Sequence, residues 1–323
     1  MVVLGAVDMP AVVALGETMV LLLAQQAGPM REAYSFSRHI AGAESNVAVG
    51  VCRLGGSAGF ISRVGDDEFG RVIVSRIRGE GVDVSHVRVD PSAPTGVVFR
   101  ERREAGPVEV QYYRRGSAAS QMSPSDLDTE YIGQARYLVL SGITPALSAS
   151  CRQTVFAAAE VGRAAGVTIV VDPNLRLKLW SADEARAVIR DLVGHADVVL
   201  PGHDEARLLT GEADPRLAAL QLMDLGPRLV IVKLGERGCL AVTPEGEVAS
   251  PAQPLARVVD PVGAGDAFAA GFLAGQLRDM DLAASLTLAN RCGAQAMLVQ
   301  ADQEGLPRWE EVAGPAWSGD VRR

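Results

Sequence analysis

The chain has 323 residues, 48% of them hydrophobic and 22% charged, enough to bury a large core in one big α/β domain or two medium ones. Its formal net charge is −8, with lysines and arginines dispersed along the chain, which argues against nucleic acid or an anionic membrane as the main partner and leaves any anionic substrate to be met by local cations. Cys52, Cys151, Cys239 and Cys292 form no C-x-x-C pair, and His39, His86, His195 and His203 are equally scattered, so neither a zinc site nor a disulfide framework is indicated and a reducing cytoplasm is the expected location.

In chain order, Met1–Pro10 has no basic flank, and no run reaches about 18 apolar residues, so no export signal or membrane span is expected. The first strand ends in Gly16-Glu17-Thr18-Met19, without a G-x-G-x-x-G fingerprint, and no G-x-x-x-x-G-K-[ST] string occurs anywhere. Helical stretches at 45–54 and 68–79 alternate with segments at 31–40, 94–103 and 108–116 that read as exposed, charged strands. Val97–Glu104 and Glu109–Arg115 alternate apolar and polar residues around Gly106-Pro107, a hairpin signature. Such a hairpin is either an antiparallel edge extension or part of a small sheet folded over a site; the second reading makes lid segments of about 17–40 and 93–117, inserted in one domain spanning 1–323.

From about residue 136 the pattern becomes regular. Tyr137–Ser141, Val167–Val171, Asp197–Leu200 and Leu229–Lys233 are near-continuous apolar runs of the kind found in strands covered on both faces, and helices fill 148–164, 182–193, 203–210 and 215–224. Ligands of such sheets collect beyond the carboxyl ends of the strands, where Asp172, Asn174, Glu205 and Lys233 fall.

The most informative string is Asp260-Pro261-Val262-Gly263-Ala264-Gly265-Asp266-Ala267-Phe268, a glycine turn and one carboxylate at a predicted helix start. The small residues Ala267, Ala270, Gly271, Ala274 and Gly275 predict a tightly packed helix after Asp266, whose first N–H groups can hold anionic oxygens. Asp266 is then placed to take a proton from an attacking hydroxyl, which reads as phosphoryl transfer. A capped helix after a glycine turn, with Asp266 only a dipole partner, fits the string alone equally well.

With these residues in view the chain resembles the PfkB (ribokinase-like) carbohydrate kinases nearly end to end. Gly42-Ala43-Glu44-Ser45-Asn46-Val47-Ala48, Arg53-Leu54-Gly55-Gly56 and Arg63-Val64-Gly65-Asp66-Asp67-Glu68-Phe69-Gly70 resemble the first signature of that family, and Asp260 to Gly271 the second. The resemblance implies an α/β, ribokinase-like three-layer sandwich with a mostly parallel central sheet and a small β-sheet lid. It also implies an ATP- and Mg2+-dependent kinase, with Asp266 as base and the N–H groups of Gly263, Ala264 and Gly265 as anion hole. Gly42 and Asn46 are implied at the substrate. Glu205 matches the glutamate of an N-x-x-E element that organises Mg2+ through water, Lys233, Gly235 and Gly238 match a K-x-G-x-x-G stretch beside the nucleotide, and Asn290 aligns near the adenine. Read without the family, Glu205 is a solvated helix residue, Lys233 a strand-end cation and Asn290 an ordinary helix asparagine.

Within the family the strings Tyr112-Tyr113-Arg114-Arg115-Gly116-Ser117-Ala118-Ala119-Ser120 and Asp172-Pro173-Asn174-Leu175-Arg176 are most similar to 2-keto-3-deoxygluconate kinases. The substrate implied is a sugar acid, phosphorylated on its terminal hydroxyl in an Entner–Doudoroff-type route, with Arg176, Tyr112 and Arg114 the candidates for its carboxylate. The first strand lacks the substrate-binding aspartate of ribokinases, which points the same way. Fructokinase and 5-dehydro-2-deoxygluconokinase are the alternatives within the family, and a non-catalytic sugar or nucleotide sensor is the alternative outside enzymes. The resemblance also admits a monovalent cation near the nucleotide and a homo-oligomer joined through lid edges. The chain departs from the family pattern at Gly202, where the N-x-x-E asparagine would stand, at Ala41-Gly42 for Gly-Gly, at Pro261-Val262 for Thr-Thr, and at Val98 for a tyrosine near the substrate.

Overall fold

A computed structural model describes residues 9–103 and 108–314. Its strands are β1 (Val12–Leu15), β2 (Met19–Ala27), β3 (Phe36–Ala41), β4 (Ala58–Gly65), β5 (Val87–Asp90), β6 (Val97–Arg102), β7 (Val110–Tyr113), β8 (Tyr137–Ser141), β9 (Thr168–Asp172), β10 (Val198–Val199), β11 (Leu229–Lys233), β12 (Cys239–Thr243) and β13 (Gly246–Ser250). The helices are α1 (Ala43–Arg53), α2 (Glu68–Gly79), α3 (Thr129–Gly133), α4 (Ala149–Ala165), α5 (Ala182–Val193), α6 (His203–Thr210), α7 (Pro215–Met223), α8 (Ala264–Leu277), α9 (Leu282–Ala296) and α10 (Trp309–Val312).

Nine strands form one sheet in the order β13-β12-β11-β10-β9-β8-β1-β4-β5, parallel from β11 to β5 and antiparallel at the β11-β12-β13 edge. The apolar runs explain the layers, because successive side chains of a strand point to opposite faces. Val12, Ala14, Tyr137, Val139 and Ile231 enter a core with α1, α2, α8 and α9, whereas Val13, Leu15, Leu138, Leu140, Val230 and Val232 enter a second core with α3 to α7. A strand buried on both faces has no polar alternation to show, which is why these read as continuous runs. The expected three-layer, mostly parallel architecture is the one observed.

The lid is a four-stranded sheet, β3-β2-β6-β7, in which β2 and β6 run parallel and the outer pairs antiparallel. Three details differ from the sequence reading. The first strand ends at Leu15 and the chain crosses to the lid over Gly16–Thr18, where Gly16 passes so close to Glu44 that an added Cβ would lie 2.2 Å from its carboxyl carbon. Beyond the break the chain forms β2, an inner strand of the lid. Of the segment 31–40 only the part from Phe36 is strand, after a short 3-10 turn at Met30–Glu32. The hairpin pairs as expected, Val97 opposite Tyr113 and Arg100 opposite Val110, but its Gly106-Pro107 tip lies outside the described residues. Finally, α8 begins at Ala264 rather than after Asp266, so Asp266 sits inside the first turn.

Candidate active site

The site is assembled where the parallel strands end and the lid faces them. Gly263, with φ at 80°, takes the left-handed conformation that lets the Asp260–Val262 loop turn abruptly into α8, a geometry that glycine adopts without a Cβ penalty. Behind it α8 runs close to α9, since a Cβ on Gly271 would lie 2.8 Å from Cys292 Sγ and one on Gly275 2.7 Å from Ser285 Oγ. That close packing fixes the direction in which the first turn of α8 points.

Two N–H groups of the turn are used locally: Val262 donates to Asp260 Oδ1 (3.1 Å) and Ala264 to Pro261 O (3.4 Å). Those of Gly263, Gly265 and Asp266 have no partner among the described residues. The donors open to an anion are therefore 263, 265 and 266, not the 263–265 set expected, because Ala264 closes the turn itself. Lys233 Nζ adds a positive charge beside them, 3.5 Å from where a Cβ of Gly265 would stand.

Asp266 lines the cavity at this turn, and its Oδ2 accepts a hydrogen bond from Asn46 Nδ2 (2.9 Å). The same nitrogen reaches Asp302 Oδ1 at 3.0 Å, so one amide bridges two carboxyl groups. Burial, and after it the charge of Asp302, hold the Asp266 carboxyl well above the usual carboxylate range, while the Asn46 hydrogen bond and Lys233 pull it back. Asp302 is pushed up to about 6, chiefly by burial. It comes directly after Ala301, whose φ of 88° lies in the left-handed region and whose N–H donates to Asp260 Oδ2 (3.3 Å). A non-glycine residue in that region is strained, and the strain is held because the turn aims Asp302 inward.

The cavity, about 330 Å3, brings together Gly42, Tyr112, Arg114, Arg176, Glu205, Lys233, Gly263, Gly265 and Asp266 of the residues expected from sequence, with Asn46 just behind Asp266. Gly42 caps α1 where the chain leaves the lid, and a Cβ there would lie 2.5 Å from the Glu17 carbonyl oxygen. Arg176 stands exposed on the rim after β9, with one hydrogen bond, to its neighbour Leu175 O.

Three residues stand differently from their expected roles. Arg114 lines the wall, but its Nε and Nη2 grip the buried Glu17 carboxylate at 2.7 and 2.5 Å, so its fork is taken by an internal ion pair. A buried glutamate demands such a partner. Gly238 and Asn290 do not line the cavity: Gly238 packs on Ser250, and Asn290 Nδ2 points at Ser250 and Pro251 oxygens. Gly235 opens on an adjoining shallow depression with Gly202, Glu205 and Lys233.

Glu205 caps α6 from within, its oxygens accepting the N–H groups of Gly202 (2.7 Å) and Leu175 (2.8 Å). Burial and the nearby Asp172 charge raise its carboxyl. Asp172 is itself paired with Lys233 Nζ at 2.6 Å. Burial alone would lower the Lys233 ammonium, but Asp172 and Glu205 outweigh it and hold it raised. Among the described residues no three His, Cys, Asp or Glu side chains gather as a metal cage.

Sequence reasoning passed over Asp302 and Arg100. Arg100 reads as part of a solvated, arginine-rich hairpin, yet it is 5% exposed and pairs with Asp260 Oδ2 at 2.5 Å. The available signal was the period of two: Val98 and Arg100 share a face of β6, and both line the cavity.

Comparison with known proteins gives one consistent set. The family described as pfkB family carbohydrate kinase matches residues 9–309. The chain is 39% identical over 304 residues to the 2-dehydro-3-deoxygluconokinase of Bacillus subtilis (strain 168), covering 93% of this chain and 94% of that one. It is 40% identical over 308 residues to the 2-dehydro-3-deoxygluconokinase of Thermoproteus tenax, covering 94% and 93%. Among solved structures, a PfkB protein from Polaromonas sp. JS666 superposes with a TM-score of 0.88 at 38% identity, covering 95% of this chain and all of that one. A fructokinase from Vibrio cholerae O395, in its fructose-, ADP- and calcium-bound form, superposes at 0.83 with 29% identity, covering 95% and 99%.

Proposed function

The chain belongs to the pfkB family of carbohydrate kinases and is an ATP-dependent phosphotransferase acting on a sugar; from that premise we propose that its acceptor is 2-keto-3-deoxygluconate, phosphorylated at the terminal hydroxyl. The observation that carries the reading is one cavity lined both by Asp266 with the open N–H groups of Gly263, Gly265 and Asp266 and by Tyr112 and Arg176. The first group suits a phosphoryl in transfer, the second a carboxylate on the same small molecule.

In this reading Oδ1 of Asp266, free of the Asn46 hydrogen bond, takes the proton of the acceptor hydroxyl. Asn46 holds the carboxylate in place, and the donors of the α8 turn, with Lys233, meet the charge that gathers on the transferring oxygens. Glu205 would orient water on a bound Mg2+, whose contribution is to neutralise phosphate charge. The need is local: six carboxyl groups line the cavity against four cations, so a polyphosphate enters an acidic environment. Asn290 and Gly238, through the β12-β13 backbone they pack on, and Gly235, at the adjoining depression, remain our candidates for shaping the nucleotide end. The lid edges β3 and β7, the latter carrying Tyr113 at 63% exposure, are our candidates for pairing with a second copy.

A panel of acceptors with MgATP tests the assignment. ADP release with 2-keto-3-deoxygluconate and little with fructose or 5-dehydro-2-deoxygluconate is the expected result. Turnover of fructose without the sugar acid would replace this reading with fructokinase.

A further inference from the structure

We propose that Arg100, delivered by lid strand β6, is a further catalytic residue of the phosphoryl-transfer site: Nη2 stays on Asp260, and Nη1 donates to an oxygen of the phosphoryl group in transfer. The assignment rests on the kinase reading above, but not on which sugar is the acceptor.

Its basis is the guanidinium itself. The side chain is buried to 6% exposure and lies on the cavity wall, yet Nη1 has no hydrogen-bond partner among the described residues. A buried charged donor left unfilled is costly, and a site tolerates one where a ligand brings the acceptor. The other arginine of the lid wall, Arg114, has Nε and Nη2 on Glu17, whereas Arg100 carries a buried Nη1 with no partner among the described residues.

Position separates the two anions that could fill it. The Asp260 carboxylate that holds Nη2 also accepts the Val262 N–H, one residue before Gly263, and the Ala301 N–H, one residue before Asp302. Arg100 is therefore anchored to the turn that carries the open N–H donors and to the loop that carries the second carboxyl of the Asn46 bridge. Tyr112 is on the same lid face but pairs with Val98, one step along the strand from the Arg100–Val110 pair, so the anchoring of Arg100 to Asp260, not the strand register, is what ties it to the turn. In the transfer the acceptor oxygen bonds to phosphorus as the bridging P–O bond to ADP breaks; the hydroxyl proton passes to Asp266, and ADP leaves with the electron pair. Charge spreads over the peripheral oxygens during that exchange, and a planar guanidinium beside them stabilises it.

The test is Arg100→Lys, which keeps a cation for Asp260 but offers no second donor in the same geometry. At saturating substrates kcat should fall about a hundredfold or more, for acidic and neutral acceptors alike, with KM within about threefold of the parent. Calorimetry gives a reading free of turnover: aluminium fluoride should tighten MgADP on the parent enzyme with acceptor present and fail to do so on the variant, while MgADP alone binds both equally. A rise in KM confined to sugar acids, with kcat kept, would put Nη1 on the substrate carboxylate and overturn the proposal. A folded variant with unchanged kcat and unchanged tightening would reduce Arg100 to an ion pair. Should Arg100→Lys not fold, Arg100→Gln carries the same expectations, and if neither folds the residue is structural and the proposal falls. Parent enzyme that turns over only neutral sugars removes the sugar-acid reading and leaves this test intact; parent enzyme inactive on every acceptor removes both.

Discussion

At the scale of single residues the site is a set of charges forced together by burial, and its pH behaviour is a consequence of that. Asp266→Asn removes the proposed proton acceptor while keeping the Asn46 hydrogen bond within reach, so kcat should drop about 10²–10⁴-fold with MgADP affinity retained by calorimetry. Turnover close to the parent value would strip Asp266 of its role. Arg176→Ala should weaken sugar acids far more than neutral sugars in kcat/KM, since its exposed fork has no partner beyond Leu175 O among the described residues; equal losses for both would mean it holds no carboxylate. Asp302→Asn takes away a charge that raises Asp266, so the acidic limb of kcat/KM should move to lower pH. It should also change stability. With Asp302 pushed from 3.8 up to about 6 on folding, the native chain binds more protons than the unfolded chain between those values, and stability is lost as pH rises through that window. The variant should therefore gain Tm over the parent near about pH 7.5 and little near about pH 4, read by thermal melts. Asp266 was legible because its motif is compact; Asp302 was not, because it reaches the site from a loop some 36 positions away through a strained alanine.

At the scale of elements, the turn into α8 depends on how α8 lies against α9. Gly271→Val would push a side chain into Cys292 Sγ and the Ala289 backbone, both within 3 Å of the added Cβ. The cost should be about 1–3 kcal/mol in chemical denaturation, because α9 has no room to retreat without opening the core that Leu273, Leu286 and Ala289 share. A loss below about 0.5 kcal/mol would show that the helices part easily and do not hold the turn rigid. The small residues of this helix were read from sequence as a packing surface. The start of α8 was placed three residues late, since a glycine-rich turn carries no side-chain cap and only Gly263 in the left-handed region marks the boundary. The lid segment expected from about residue 17 contains strand β2, but the sequence reading ran the first strand on through Met19, because its end at Leu15 carries no local marker.

At the scale of the whole molecule, charge is the property to test. A net charge of −8 and a cavity lined by more carboxyl groups than cations repel an anionic acceptor until salt screens them. With free Mg2+ held constant, raising ionic strength from about 10 to about 150 mM should increase kcat/KM for a sugar acid relative to a neutral sugar; a decrease would mean that the local cations dominate the approach. The amino-acid sequence alone determined the layered α/β architecture, because strands covered on both faces must be apolar without interruption, and it marked the glycine turn with Asp266, because that chemistry needs adjacent residues. Tertiary structure decided everything that depends on partners distant in sequence: that Arg114 is consumed by Glu17, that Asn46 joins Asp266 to Asp302, and that Arg100 turns inward from a lid strand onto Asp260. Whether a charged side chain is solvated, paired or left with an open donor is set by the groups that surround it after folding, and those surroundings have no local signature in the chain.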